Sequence, residues 1–164
     1  MALKNPSAAA FSRTLDVSFT SFTKRHMRIC SDTKDGPPLY TVDLHPTKPN
    51  VIFHRAQYPE SPPYTASFHR LSHDVDISMN GKEIVKLTWE RASKWKSFWL
   101  DCVDDGGVVY AEYRPHGGFK KGGVLNLLEP CVSGGEEMLD EVVVTFVVNL
   151  YMLMRIATAS AAGG

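Results

Sequence analysis

Apolar and polar residues alternate with a period of two along most of residues 15–129. The alternation is clear in LDVSFTSF (15–22), where Leu15, Val17 and Phe19 fall on one face. Successive side chains of a strand point to opposite faces of a sheet, so this pattern predicts strands with one buried face. Similar segments, rich in β-branched and aromatic residues, predict further strands at 39–44, 50–56, 64–71, 73–79, 82–89, 96–103, 108–114 and 123–129.

Turn signals separate these segments. Asn80-Gly81 lies between two of them, and both residues tolerate the positive φ that a type I′ turn requires, which predicts a β-hairpin. The segments DDGG (104–107) and HGGFKKGG (116–123) predict two more turns. Many short strands with a turn signal after each are typical of a β-sandwich or a β-barrel.

The segment EEMLDEVVVTFVVNLYMLMR (136–155) has a different pattern, because residues 142–154 are almost wholly apolar. A transmembrane helix needs about 20 apolar residues, whereas a strand usually ends after five or six, so we predict a helix without a transmembrane span. Glu136, Glu137 and Asp140 near its start and Arg155 near its end suit the helix dipole.

A helix that is apolar around nearly its whole circumference must be surrounded by protein. An antiparallel barrel closed around it would surround it and would also leave no sheet edge. We therefore predict a mainly β fold: an antiparallel β-barrel of about ten to twelve short strands that encloses a C-terminal hydrophobic α-helix. Residues 15–157 form this single domain, residues 1–14 a disordered leader and residues 158–164 a flexible tail.

Charge and targeting signals narrow the classes of partner. Eighteen basic and eighteen acidic residues give a formal charge of zero, so nucleic acid is not expected and any binding to an anionic membrane requires a local patch. Polar residues at 4–7 interrupt the apolar core that a secretory signal needs, and the three cysteines form no CxxC pair. We expect an intracellular, cytoplasmic protein, with a mitochondrial presequence as the alternative.

No metal, cofactor or catalytic motif is predicted. His69 and His73 are four residues apart, but they straddle a predicted turn, so their spacing is not that of a metal site. Cys102 or Cys131 is a candidate nucleophile, with a histidine and one of Asp101, Asp104 and Asp105 as partners. Because free cysteines are among the most buried residue types, packing in the core is favoured for both thiols.

Basic and aromatic residues cluster in RASKWKSFW (91–99) and HGGFKKGG (116–123). Cations beside aromatic rings in exposed turns suit an anionic lipid headgroup, because the cations meet phosphate while the rings enter the interface. The alternative is that the lysines only solvate the surface and the tryptophans belong to the core. The candidate ligand-binding residues are Arg91, Lys94, Trp95, Lys96, Trp99, Phe119, Lys120 and Lys121.

Many short strands followed by a C-terminal apolar helix resemble the superfamily of tubby C-terminal, LURP-one-related and phospholipid scramblase domains. The segment LDEVVVTF (139–146) is similar to the ending of a family of small fungal proteins in that superfamily. The segment that follows, NLYMLMRIATAS (149–160), is less charged than that resemblance implies. Tubby domains bind phosphoinositides and scramblases move lipids with Ca²⁺, but none of their binding motifs corresponds residue by residue to this chain.

Two hypotheses of function follow. The first is a non-enzymatic module that binds anionic phospholipid or a protein partner through its basic-aromatic loops. The second is a small barrel enzyme or small-molecule binder with a pocket beside the central helix. The absence of a nucleophile elbow, a phosphate loop or metal spacing favours the first.

Overall fold

The computed structural model describes residues 13–162 except 21–22, 24, 70–73, 83–86, 97 and 118–120. It contains ten strands followed by two helices, a short helix α1 and a long helix α2. The strands are β1 (Arg13–Phe19), β2 (His26–Ser31), β3 (Pro38–Leu44), β4 (Val51–Arg55), β5 (Tyr64–Phe68), β6 (Val75–Ser78), β7 (Thr88–Arg91), β8 (Leu100–Val103), β9 (Val109–Pro115) and β10 (Gly123–Leu127). The helices are α1 (Glu129–Ser133) and α2 (Gly135–Ala162).

The strands form one antiparallel sheet in the order β6-β5-β4-β3-β2-β1-β10-β9-β8-β7. The mainly β fold with a C-terminal helix is therefore confirmed. The sequence analysis missed β2, although Met27 and Ile29 alternate in it and are buried. Cys30 is buried as well, so burial does not alternate at the end of this strand, where the register with β3 shifts and leaves Leu39 unpaired.

The sheet is strongly curved. If it were flat, nine spacings of about 4.8 Å would separate the edge strands β6 and β7 by about 43 Å. Residues 79–87 join these two strands, and such a segment spans at most about 36 Å when fully extended. The two edges must therefore lie closer together than a flat sheet allows.

The curved sheet surrounds the first half of α2. Residues 140–144 and 146–148 of the helix are all buried, so no side of the helix faces solvent at this level. Phe146 packs against Trp89 of β7 and Tyr113 of β9, with ring centroids 5.3 and 4.6 Å apart. On the other half of the sheet, Tyr40 of β3 donates a hydrogen bond to Asp140. The predicted location of the helix in the core is confirmed.

Closure into a barrel is not shown. In the described part of the chain, β6 pairs only with β5 and β7 only with β8, so backbone hydrogen bonds do not join the two edges. The predicted turn is present: Asn80 and Gly81 have φ values of 56° and 80°, and the Lys82 amide donates to the Met79 carbonyl. Its second strand falls partly on 83–86, outside the described residues.

The long helix continues to Ala162, into the segment 158–164 whose flexibility stays a prediction. The predicted leader lies largely outside the described residues, which begin at Arg13. Gly135–Ala159 is long and apolar enough to cross a membrane by length and composition alone. A buried core helix meets the same criterion, so the predicted lack of a transmembrane span stays a prediction.

Candidate functional site

Charged loops are divided unequally between the two ends of the sheet. In an antiparallel meander the loops alternate between ends. Pairing of Val17 with Gly123 and of Leu100 with Tyr113 fixes the relative direction of the two halves of the sheet. The loops that follow β1, β3, β5, β7 and β9 therefore lie at one end, which we call the basic end.

The basic end carries the larger share of exposed cations. In the described parts of its five loops Asp74 is the only carboxylate. The lysines and arginines of these loops are Arg25, Lys48, Lys94, Lys96 and Lys121, and Arg91 ends the adjoining strand β7. An anionic surface would meet mostly positive charge at this end.

Most of the residues predicted from the sequence to bind a ligand lie at this end. Arg91, Lys94, Trp95, Lys96 and Trp99 belong to β7 or to the loop between β7 and β8, and Lys121 belongs to the loop between β9 and β10. The register brings these two loops to the same end of neighbouring hairpins. Phe119 and Lys120 lie outside the described residues.

The three tryptophans occupy different environments. Trp89 is in the core, where its indole N–H donates to the Thr145 hydroxyl at 3.0 Å. Trp99 is half-buried between Lys96, whose Nζ lies 3.7 Å from the ring centroid, and Arg114, whose Cζ lies 5.0 Å from it. Trp95 is 93% exposed. The expectation that the tryptophans belong to the core therefore fails for Trp95.

The cations of these two loops differ in whether they have partners. Lys96 is held against Trp99, which favours a structural contribution. Within the described part of the chain, Arg91, Lys94 and Lys121 have no ion pair or hydrogen-bonded side-chain partner, and all three are exposed. Their charges are available to an external anion.

The opposite end, which we call the acidic end, holds the remaining loops, α1 and the start of α2. Exposed carboxylates there include Asp32, Asp35, Glu60, Asp105, Glu136 and Glu137. Lys34 and Lys82 are the described lysines of its loops. Although the formal charge of the chain is zero, the described loop cations and loop carboxylates are therefore separated along the axis of α2.

Four donors converge on the carboxylate of Asp140 at the acidic end. The Tyr40 hydroxyl donates to Oδ1 at 2.5 Å, and the Tyr64 hydroxyl donates to Oδ2 at 2.8 Å. Arg55 and Lys82 place nitrogen atoms 3.3 and 3.5 Å from Oδ2. We call these five residues the Asp140 cluster. Because its members come from β3, β4, β5, the turn after β6 and α2, the cluster fastens the helix to the sheet.

Burial and charge shift the pKa values of the donors in the Asp140 cluster. Burial is the main cause that raises the pKa of Tyr40, and the Asp140 carboxylate raises it further. Burial also raises the pKa of Tyr64. The hydrogen bond that Lys82 donates to the Tyr64 hydroxyl raises the pKa of Lys82. Both phenols therefore stay neutral and Lys82 stays charged at neutral pH. In these states the phenols can donate to the Asp140 carboxylate and Lys82 can form an ion pair with it.

A cleft of about 90 Å³ opens beside the Asp140 cluster. Its lining includes Arg13, Arg55, Tyr58 and Glu136, with Leu39 among its apolar residues. The Tyr58 hydroxyl donates to Glu136 at 2.7 Å, and the Arg55 guanidinium stacks 4.6 Å from the Tyr58 ring centroid. The cleft lies beside α2, because Glu136, Leu139 and Asp140 of the helix line it.

The candidate nucleophiles lie in unfavourable surroundings. Cys102 and Cys131 are buried, and burial raises their pKa values from 9.0 to about 12 and about 11. Asp101 is paired with Arg114, and Asp104 accepts hydrogen bonds from its own turn. A nucleophilic cysteine needs a lowered pKa, so neither thiol is suited to that role.

The histidines do not form a metal site in the described residues. No group of three or more His, Cys, Asp or Glu side chains there could hold a metal ion. His69 contacts Asp76 at 2.7 Å, whereas His73 lies outside the described residues.

Comparison with known proteins leaves the function to be inferred from this geometry. No family model, curated protein or solved structure matches the chain. The resemblance to tubby-like domains stays a prediction, which rests on LDEVVVTF and the order of elements.

Proposed function

We propose that the protein is a non-enzymatic module that binds anionic membrane surfaces through its basic end. The observation that carries this proposal is Trp95, which is 93% exposed between two lysines. Exposed Arg91 and Lys94 lie near Trp95 in the same hairpin, and a ring in that setting suits a membrane interface, because it can enter the interface while the cations meet phosphate. Indole rings are also enriched where membranes meet water.

Charge supports an anionic surface as the partner. Lys94 directly precedes Trp95 in the chain, Arg91 lies four residues before Trp95, and Lys121 lies in the neighbouring loop at the same end. Each basic residue near an anionic membrane contributes about 1 kcal/mol of attraction. The proposed superfamily, which contains lipid-binding tubby domains, agrees with this function, and a sheet curved around a C-terminal apolar helix supports membership in it.

Sedimentation with lipid vesicles tests the proposal. The protein should sediment with vesicles of equal parts phosphatidylserine and phosphatidylcholine, and less with phosphatidylcholine alone. Added salt should weaken the binding, because salt screens exposed charges. Replacing Arg91, Lys94 and Lys121 by Gln should weaken the binding about a hundredfold, as expected for the loss of three such attractions.

Lys34→Gln is the matched control, because Lys34 is an exposed lysine in a loop at the acidic end. It should bind vesicles as the unmodified protein does. Equal binding to neutral and anionic vesicles at low salt would contradict the proposal. A protein partner would then be favoured over an anionic membrane.

The cleft at the acidic end favours a second candidate function, the binding of a small molecule. Arg13 lines the cleft and has no ion pair with a described residue, so its guanidinium is available to a small carboxylate or phosphate. Native mass spectrometry of the purified protein tests this function, since a retained molecule adds mass. We rank it second because the Arg55 and Tyr58 side chains at the cleft are already bonded to protein groups.

A further inference from the structure

The C-terminal turns of α2 leave the sheet at the basic end. The Tyr151 hydroxyl donates to the carbonyl of His45 in the loop after β3, at 2.9 Å. One turn later, the Arg155 guanidinium lies 5.7 Å from the ring centroid of Phe68, the last residue of β5. The helix therefore passes the ends of strands β3 and β5 between Tyr151 and Arg155.

Beyond that level the helix is apolar and incompletely covered. Leu150 is 1% exposed, residues 151–154 are half-buried and Ile156 is 54% exposed. From Val142 to the end of the helix the sequence contains no carboxylate, and Arg155 is its only charge. At about 1.5 Å per residue, residues 156–162 extend the helix about 10 Å beyond Arg155, past the ends of β3 and β5.

We infer that these last turns of α2 insert into the headgroup and acyl boundary of an anionic bilayer, while the surrounding loops bind its phosphates. This inference rests on the proposed function and specifies the bilayer interior as part of the binding site. Interfacial helices are buried about 5–10 Å into that boundary, a depth that the turns of α2 beyond Arg155 are long enough to reach.

Charge complementarity selects the bilayer over a second copy of the chain. Two molecules paired through this surface would bring two sets of basic loops together, and like charges would oppose the contact. An anionic bilayer offers negative charge at its surface and apolar chains beneath it. That order matches loops that carry cations and a helix whose apolar turns extend further.

A fluorescent probe at residue 156 tests the insertion directly. All three native cysteines are buried, so a polarity-sensitive thiol dye should label Ile156→Cys selectively. The dye emission should shift to the blue on vesicles of equal parts phosphatidylserine and phosphatidylcholine. The same dye on Val132→Cys, which replaces an exposed apolar residue of α1 at the acidic end, should not shift.

Two substitutions at Ile156 measure the contribution of the apolar turns. Ile156→Ser should weaken vesicle binding about fivefold, because about half of this side chain remains to be buried. Ile156→Trp should strengthen it, and this variant should stay in the supernatant when it is sedimented without vesicles, which excludes aggregation as the cause of the gain. Val108→Ser is the matched control, since Val108 is 46% exposed in a loop at the acidic end, and its binding should not change.

The outcomes separate this inference from the proposed function. If the protein binds anionic vesicles while the dye at residue 156 stays in water, the insertion is wrong and the membrane function stands. If the protein does not bind these vesicles, both are wrong. If sedimentation velocity without lipid shows an oligomer that Ile156→Ser dissociates, a second copy of the chain covers this surface and the inference is overturned.

Discussion

The acidic and basic ends of the sheet differ in how their charges are used. At the acidic end the Asp140 carboxylate accepts hydrogen bonds from two phenols and contacts two cations. At the basic end Arg91, Lys94 and Lys121 are exposed and have no such partners among the described residues. Charges that satisfy each other stabilise the fold, whereas charges facing only water are free to bind something else. The charges of the acidic end therefore stabilise the fold, and the basic end is the one that we propose for recognition.

The helix joins the two ends and differs along its length in the same way. Its buried part, residues 140–150, lies inside the curved sheet, and its last turns extend past the ends of β3 and β5. Apolar residues in the first half form the core, while similar residues in the second half remain partly exposed. Burial therefore distinguishes the core segment of this helix from the turns that we propose as a contact surface.

The largest expected effect comes from removing the carboxylate at the acidic end. Asp140→Ala should lower the free energy of unfolding by about 3–5 kcal/mol, because it leaves buried donors and cations without their shared acceptor. Chemical denaturation followed by tryptophan fluorescence measures this loss. Asp105→Ala is the matched control, since Asp105 is exposed in a turn at the same end, and it should change stability by less than about 0.5 kcal/mol. Equal effects of the two variants would refute the structural role of the cluster.

An intermediate effect is expected at alkaline pH. Burial raises the pKa of Cys102 from 9.0 to about 12, and the pKa of Tyr40 is raised above its ordinary 10.0. Both groups ionise earlier in the unfolded chain than in the folded protein. Their stabilisation is therefore complete below about pH 9 and is lost as the pH rises toward 12, at up to about 1.4 kcal/mol per pH unit for each group.

Unfolding titrations between pH 7 and pH 12 measure this dependence. Cys102→Ala should reduce the slope of the free energy of unfolding against pH above about pH 9, because one ionising group is removed. This reduction is expected even if the variant is less stable at neutral pH. A slope that does not change in this variant would show that the thiol ionises at its ordinary pKa in the folded protein.

The smallest effect on stability is expected at the basic end. Replacing Arg91, Lys94 and Lys121 together by Gln should change the free energy of unfolding by less than about 1 kcal/mol, because exposed side chains without partners contribute little to folding. Thermal and chemical denaturation measure this change. A loss comparable with that of Asp140→Ala would mean that these cations support the fold and would remove the contrast between the two ends.

Sequence patterns predicted most elements of the fold because the signals are local. Alternation marks a strand with one buried face, and the length of the apolar run at 142–154 favoured a helix over a strand. The curvature of the sheet follows from a less local fact, the short connection between edge strands β6 and β7. The curvature could not be predicted from local patterns, because it depends on the order of the strands in the sheet. No single segment of the sequence specifies that order.

The Asp140 cluster could not be found in the same way. Tyr40 and Tyr64 lie 100 and 76 residues from Asp140 in the chain, so no local spacing relates them. The available signal was a carboxylate next to an apolar helix segment, which the sequence analysis assigned only to the helix dipole. The basic loops were easier to find because Lys94, Trp95 and Lys96 are adjacent in the sequence.

The position of α2 determines when the protein can fold during synthesis. All ten strands leave the ribosome before the helix that fills their concave face. Strand β1 is synthesised before the other nine strands and lies between β2 and β10. The middle of the sheet therefore cannot form until β10 has been synthesised. A nascent chain stalled before Gly135 would display the apolar face of an unfilled sheet, which is the kind of surface that chaperones bind and that aggregates when left uncovered. Completion of the domain is thus tied to the arrival of its final segment.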